Sequence, residues 1–146
     1  MSKEYIEELI VTIPSITDME NAQREIYMKG FIGKNQASLA DALGPFLTVL
    51  GVAFYKSTPV SLATSAVSLF LTINDTDYKK IVRDCLINGY ISLGDLRNKM
   101  SKLSGIYTRF AIKVPFLEFT EKRFRIVSGF GIITKGCLNS GHWEDL

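Results

Sequence analysis

The chain has 146 residues, 47% of them apolar and 22% charged, and a formal net charge of +2. That length and balance suit one folded domain with its own core and exclude a disordered chain. So small a net charge does not by itself point to nucleic acid. Acids outnumber bases over residues 1–36, bases outnumber acids from residue 74 on, and the middle is nearly neutral. Cys85 and Cys137 lack the CxxC spacing of a metal or redox pair and read as reduced thiols. With acids where a secretory leader would carry bases, a cytoplasmic protein is expected.

Tyr5, Ile6, Leu9, Ile10 and Ile13 recur at helical spacing, which predicts a short amphipathic helix stopped by Pro14. Thr17 or Asp18 can cap a second helix running through Met28 and ending at Gly30, with a loop over Gly30 to Asn35. The pattern is helical again from Gln36 to Leu43, and Gly44-Pro45 predicts a kink or restart.

Leu43 to Ile73 is the most distinctive stretch, thirty-one residues with a single charge, Lys56. That charge opens the break Lys56-Ser57-Thr58-Pro59, so two apolar limbs, 45–56 and 59–73, are expected as a helical hairpin. Thr58 is its cap and Pro59 its first turn. The β-branched content leaves a strand reading open, but each limb is longer than a usual strand.

Asn74 to Asp77 signals the next helix start, followed by Tyr78, Ile81, Val82, Cys85, Leu86 and Tyr90. A turn over Asn88 to Ile91 and a capping box at Ser92-Leu93-Gly94-Asp95 would open another helix. Its apolar face would be Leu93, Leu96, Met100, Leu103, Tyr107, Phe110 and Val114, ending at Pro115. Phe116, Phe119, Phe124, Val127, Phe130 and Ile133 fit a last helix, while Gly129, Gly131 and the alternation over 123–126 allow a short β-hairpin instead. Residues 137–146 read as an irregular tail with Trp143 folding back. The expected fold is therefore mainly α: a single domain, 1–146, forming an all-α helical bundle around the apolar hairpin.

No motif for catalysis, metal or nucleotide stands out. His142 near Cys137 lacks an orienting scaffold, and Gly129-Phe130-Gly131 lacks the rest of a phosphate loop. An enzyme is not expected, and neither is a cofactor or a metal. The hairpin is more informative. Gly44, Thr48 and Gly51 share one side of the first limb, and Ser61, Ser65 and Ser68 share one side of the second. Water-facing stripes normally carry Lys, Glu or Arg, whereas small residues at that spacing let helices approach closely. One side of the hairpin is thus expected against the chain's own helices and the other against something tighter. This points to a non-enzymatic interaction, assembly or inhibitory protein with a homo-oligomer or protein partner. The alternatives are a membrane-inserting hairpin and, less favoured, a nucleic-acid-binding regulator. The last would use Arg97, Lys99, Lys102, Arg109 and Lys113, with Phe119 and Phe124 among Lys122, Arg123 and Arg125.

Overall fold

A computed structural model describes residues 2–146. It is 55% helix and 26% strand, an α+β fold with a five-stranded antiparallel sheet, which overturns the mainly-α, all-α helical bundle. The elements in order are β1 (Ser2–Val11), α1 (Ile13–Glu25), a π-helical segment (Ile26–Ile32), α2 (Gln36–Leu43), a 3-10 turn (Gly44–Phe46), α3 (Leu47–Phe54), α4 (Pro59–Thr72) and α5 (Thr76–Lys102). Four strands follow: β2 (Tyr107–Phe119), β3 (Phe124–Val127), β4 (Ile132–Leu138) and β5 (Trp143–Asp145).

The sheet is not confined to a C-terminal hairpin, because the expected first helix is β1. It pairs antiparallel with β2 along its whole length, Ser2 opposite Phe119 and Val11 opposite Phe110. Tyr5, Glu7, Leu9 and Val11 face inward, while Glu4, Ile6, Glu8 and Ile10 face water. Pro14 does not stop a helix; it sits in the first turn of α1, which Thr12 caps. The Thr12 hydroxyl accepts from the Ser15 amide at 3.2 Å and Ser15 Oγ accepts from the Thr12 amide at 2.8 Å, so the cap is reciprocal.

Pro115 likewise ends no helix. β2 pairs with β4 over residues 107–113 and with β3 over 116–119, and Pro115 lies in the gap between those partners. A missing amide costs nothing there. The regular run from Leu93 to Val114 is two structures in series: α5 ends at Lys102, and after the Ser104-Gly105 turn the chain is strand. Residues expected as a turn, 88–91, lie inside α5, and Ser92 caps no helix; its Oγ accepts from the Gly131 amide at 3.0 Å. The segment expected as an irregular tail carries the end of β4 and all of β5.

β3 positions the rest. All four of its residues are buried, with helices on both faces: Arg125 reaches α3 on one side and Phe124 meets Phe70 of α4 on the other. Its outer edge is closed by one side chain from α1. Gln23 accepts from the Val127 amide at 2.9 Å and donates to the Val127 carbonyl at 2.6 Å and to the Leu86 carbonyl at 3.1 Å. The carboxamide stands in for a neighbouring strand, so an edge that would otherwise be unsatisfied can be packed inside the protein. α5 passes so close that a Cβ on Gly89 would overlap the Val127 carbonyl and the Gln23 amide. Only glycine permits that approach.

Candidate interaction surface

The two limbs of the apolar stretch are helices, opened by Thr58 as expected: its hydroxyl accepts from the Ser61 amide at 3.1 Å ahead of Pro59. One face of the first limb is core, with Leu43, Leu50, Ala53 and Phe54 fully buried. The opposite face is open. Gly44, Leu47, Thr48, Gly51, Val52 and Tyr55 recur at steps of three, one, three, one and three, which places them in one stripe, and all six are exposed. Leu47 is 53% exposed, Val52 60% and Tyr55 44%. None of the six is charged.

Gly44, Thr48 and Gly51, expected on one helix side, are thus brought together, and the structure surrounds them with exposed apolar side chains. A Cβ on Gly44 would meet nothing within 4 Å, and one on Gly51 only Ser57, at 3.8 Å. Neither glycine is required by packing within the chain. Gly51, inside α3, still weakens its helix by about 1 kcal/mol relative to alanine. Ser61, Ser65 and Ser68 do not join this stripe. They are half-buried along α4, between its core face and exposed Val60, Thr64 and Leu71.

A buried cation holds α3 in place. Arg125, from β3, donates through Nε to the Ala53 carbonyl at 3.1 Å and through Nη2 to the Val52 carbonyl at 2.7 Å. These are last-turn carbonyls of α3, where partial negative charge accumulates and a cation is favoured. Nη2 also meets Glu7 Oε2 at 2.8 Å, and Nη1 donates to the Tyr5 hydroxyl at 3.2 Å. The guanidinium lies between two rings, its carbon 3.6 Å from the Phe116 centroid and 4.0 Å from that of Tyr55. Tyr55 ends α3 at φ 66°, a left-handed conformation that a non-glycine residue rarely adopts, with its amide donating to the Gly51 carbonyl at 3.2 Å. The Tyr5 hydroxyl donates to Glu118 at 2.8 Å and lies 3.3 Å from that of Tyr55. Burial, followed by the Tyr55 and Glu118 hydrogen bonds, raises the Tyr5 phenol above its ordinary value, although Arg125 pulls the other way.

Arg125 is therefore no nucleic-acid contact, and the stacking pair expected with it, Phe119 and Phe124, is buried. The other bases of that reading do not share a helix: Arg97, Lys99 and Lys102 lie on α5, Arg109 and Lys113 on β2. Arg97 is engaged with Glu20 at 2.9 Å and Lys99 with Asp95 at 3.1 Å. Cys137 is fully buried beside Arg109, 3.3 Å from Nη2, while His142 is exposed. Among the described residues, no three His, Cys, Asp or Glu side chains converge as a metal site. The outward sheet face also exposes Ile6, Ile10, Phe130 and Ile132, but there they alternate with Glu8, Lys113 and Lys135, as on an ordinary solvated antiparallel sheet.

Nothing in the sequence betrayed Gln23 or Arg125 as the two polar centres of the fold. No family model matches the chain, and neither a curated protein nor a solved structure does.

Proposed function

We propose that this is a non-enzymatic binding protein that self-associates through the outer stripe of α3, two copies meeting at Gly44, Leu47, Thr48, Gly51, Val52 and Tyr55. The observation that carries this reading is Gly51 within α3 and Gly44 in the turn before it, with no side chain of the chain other than Ser57 packed over either and exposed Leu47, Val52 and Tyr55 beside them. Glycine and threonine let a second helix come close, and Leu47, Val52 and Tyr55 supply the apolar area. A second copy suits the stripe because a two-fold contact sets the same surface against itself, and an uncharged surface meets no like-charge repulsion. Arg125 supports the contact from behind by fixing the end of the helix that carries Val52 and Tyr55.

Lipid is the competing cover. Gln36 to Phe54 is long and apolar enough to cross a membrane, and only 33% of its most apolar window is buried. However, the stretch is interrupted by the 3-10 turn, carries Asp41, and commits Leu39, Leu43, Leu50 and Phe54 to the core. Insertion would have to dismantle that core.

Light scattering coupled to gel filtration tests the reading. The parent chain is expected at twice the monomer mass, and Gly51→Arg or Val52→Arg at the monomer mass with an unchanged far-ultraviolet spectrum. A parent that stays monomeric at high concentration overturns it. So does flotation with neutral phosphatidylcholine vesicles that Val52→Arg abolishes.

A further inference from the structure

The first two turns of α5 carry Thr76, Lys79, Lys80 and Arg83 at i, i+3, i+4 and i+7. At about 100° per residue these occupy roughly a third of the helix circumference. They line a cleft of about 240 Å³ together with Phe31, near the end of the π-helical segment. Just beyond that segment Lys34 curls back at φ 50°, its Nζ donating to the Phe31 carbonyl at 2.9 Å and lying 5.8 Å from the ring centroid. Three cations of α5 therefore line one cleft with an aromatic wall, and Lys34 approaches the same ring.

The two lysines of the cleft lack ion-pair partners. Among the described residues, Lys34, Lys79 and Lys80 meet no carboxylate in ion-pair reach, and Arg83 meets only adjacent Asp84, at 3.4 Å. By contrast, Arg24 and Arg97 share Glu20, Lys29 meets Glu25 and Lys99 meets Asp95. Asp75, four residues before Lys79, and Asp84, four after Lys80, are spaced to pair with them on the helix, but neither comes within ion-pair distance of a lysine. A multiply charged anion would take that place, with the lysines acting as point charges and Arg83 as a planar fork.

We propose that this cleft binds a phosphate-bearing anion of more than one charge, either a soluble oligophosphate or a phosphorylated headgroup, through Lys79, Lys80 and Arg83. The site shares no residue with the α3 stripe and does not depend on self-association.

Thermal unfolding and titration calorimetry of the full chain with sodium tripolyphosphate, against sodium chloride at matched ionic strength, test this. The transition should rise with tripolyphosphate concentration, as mass action on the folded state requires, and the affinity should fall steeply with salt. Lys79→Glu/Lys80→Glu should lose about tenfold or more in affinity, the scale of one charge-assisted hydrogen bond. Its unliganded form should keep the parent's far-ultraviolet spectrum and cooperative unfolding, which separates lost binding from lost folding. Lys102→Glu, at the far end of α5, should bind as the parent does.

Vesicles containing phosphatidic acid distinguish the two sources. Capture that tripolyphosphate displaces assigns the headgroup, and binding of tripolyphosphate without capture assigns the soluble anion; either supports the proposal. The same shift in parent and double variant, or neither a tripolyphosphate shift beyond sodium chloride nor vesicle capture, overturns it.

Discussion

At the residue scale, Arg125 shows how a full charge can be 1% exposed and still be tolerated. Its desolvation is offset by a carboxylate, two helix-end carbonyls, a phenol and two aromatic faces, so that no buried side-chain polar atom among the described residues lacks a partner. Arg125→Ala should therefore cost about 2–5 kcal/mol in urea denaturation, because it empties a buried space and leaves the Val52 and Ala53 carbonyls unpaired, whereas Glu7, its side chain 37% exposed, can rehydrate. Arg125→Lys should recover little of it, because an ammonium cannot present a flat fork to Val52, Ala53 and Glu7 at once. Tyr5 makes this site sensitive to alkali. A phenol held protonated in the fold and free to ionise in the unfolded chain contributes stability that is complete below about pH 10 and is lost as pH climbs from there toward the raised folded value. Thermal melts across that range should show a steeper alkaline decline for the parent than for Tyr5→Phe.

At the element scale, the helix bearing the exposed stripe is amphipathic in its burial but not in its chemistry. That is why α3 stands out as a surface even though its apolar content alone resembles a core helix. If Gly51 is retained for an external contact, Gly51→Ala has opposite effects at two concentrations. Below the association range the monomer should gain about 1 kcal/mol from helix propensity. Above it, sedimentation equilibrium should show weaker association, because a methyl group now separates the two helices. A loss of monomer stability instead would mean that Gly51 serves packing within the chain. β1 illustrates how two periods become confounded. Apolar Ile6 and Ile10 lie on the wet face and acidic Glu7 on the dry one, so the alternation of a strand was hidden and a helical spacing was left in view. Pro115 misled in the same way, because a proline at a change of strand partner looks in sequence like the end of a helix.

At the scale of the whole molecule, the first strand and the last third of the chain complete one another. β1 is an edge strand whose one partner among the described residues is β2, and Glu7 meets Arg125 across 118 positions, while Gln23 meets Val127 across 104. Such non-local closure predicts cooperative folding: a chain lacking residues 2–11 should lose its fixed tertiary structure, seen as loss of near-ultraviolet dichroism, and not persist as a smaller helical bundle. Self-association adds a further mark, a melting temperature that rises with protein concentration in the parent and not in Val52→Arg. What could be read directly were the locally encoded features: the two apolar helical limbs, the Thr58-Pro59 opening of the second, the start of α5 at Asp75, and the shared side of Gly44, Thr48 and Gly51. Caps, proline and helical spacing act within a few residues and need no distant partner. Which segments became strands, where Gln23 and Arg125 went, and which face of α3 met water were decided only by tertiary structure. Those outcomes depend on carbonyls, rings and strand edges supplied from far along the chain, and burial is a property of the folded assembly of elements and of no single one of them.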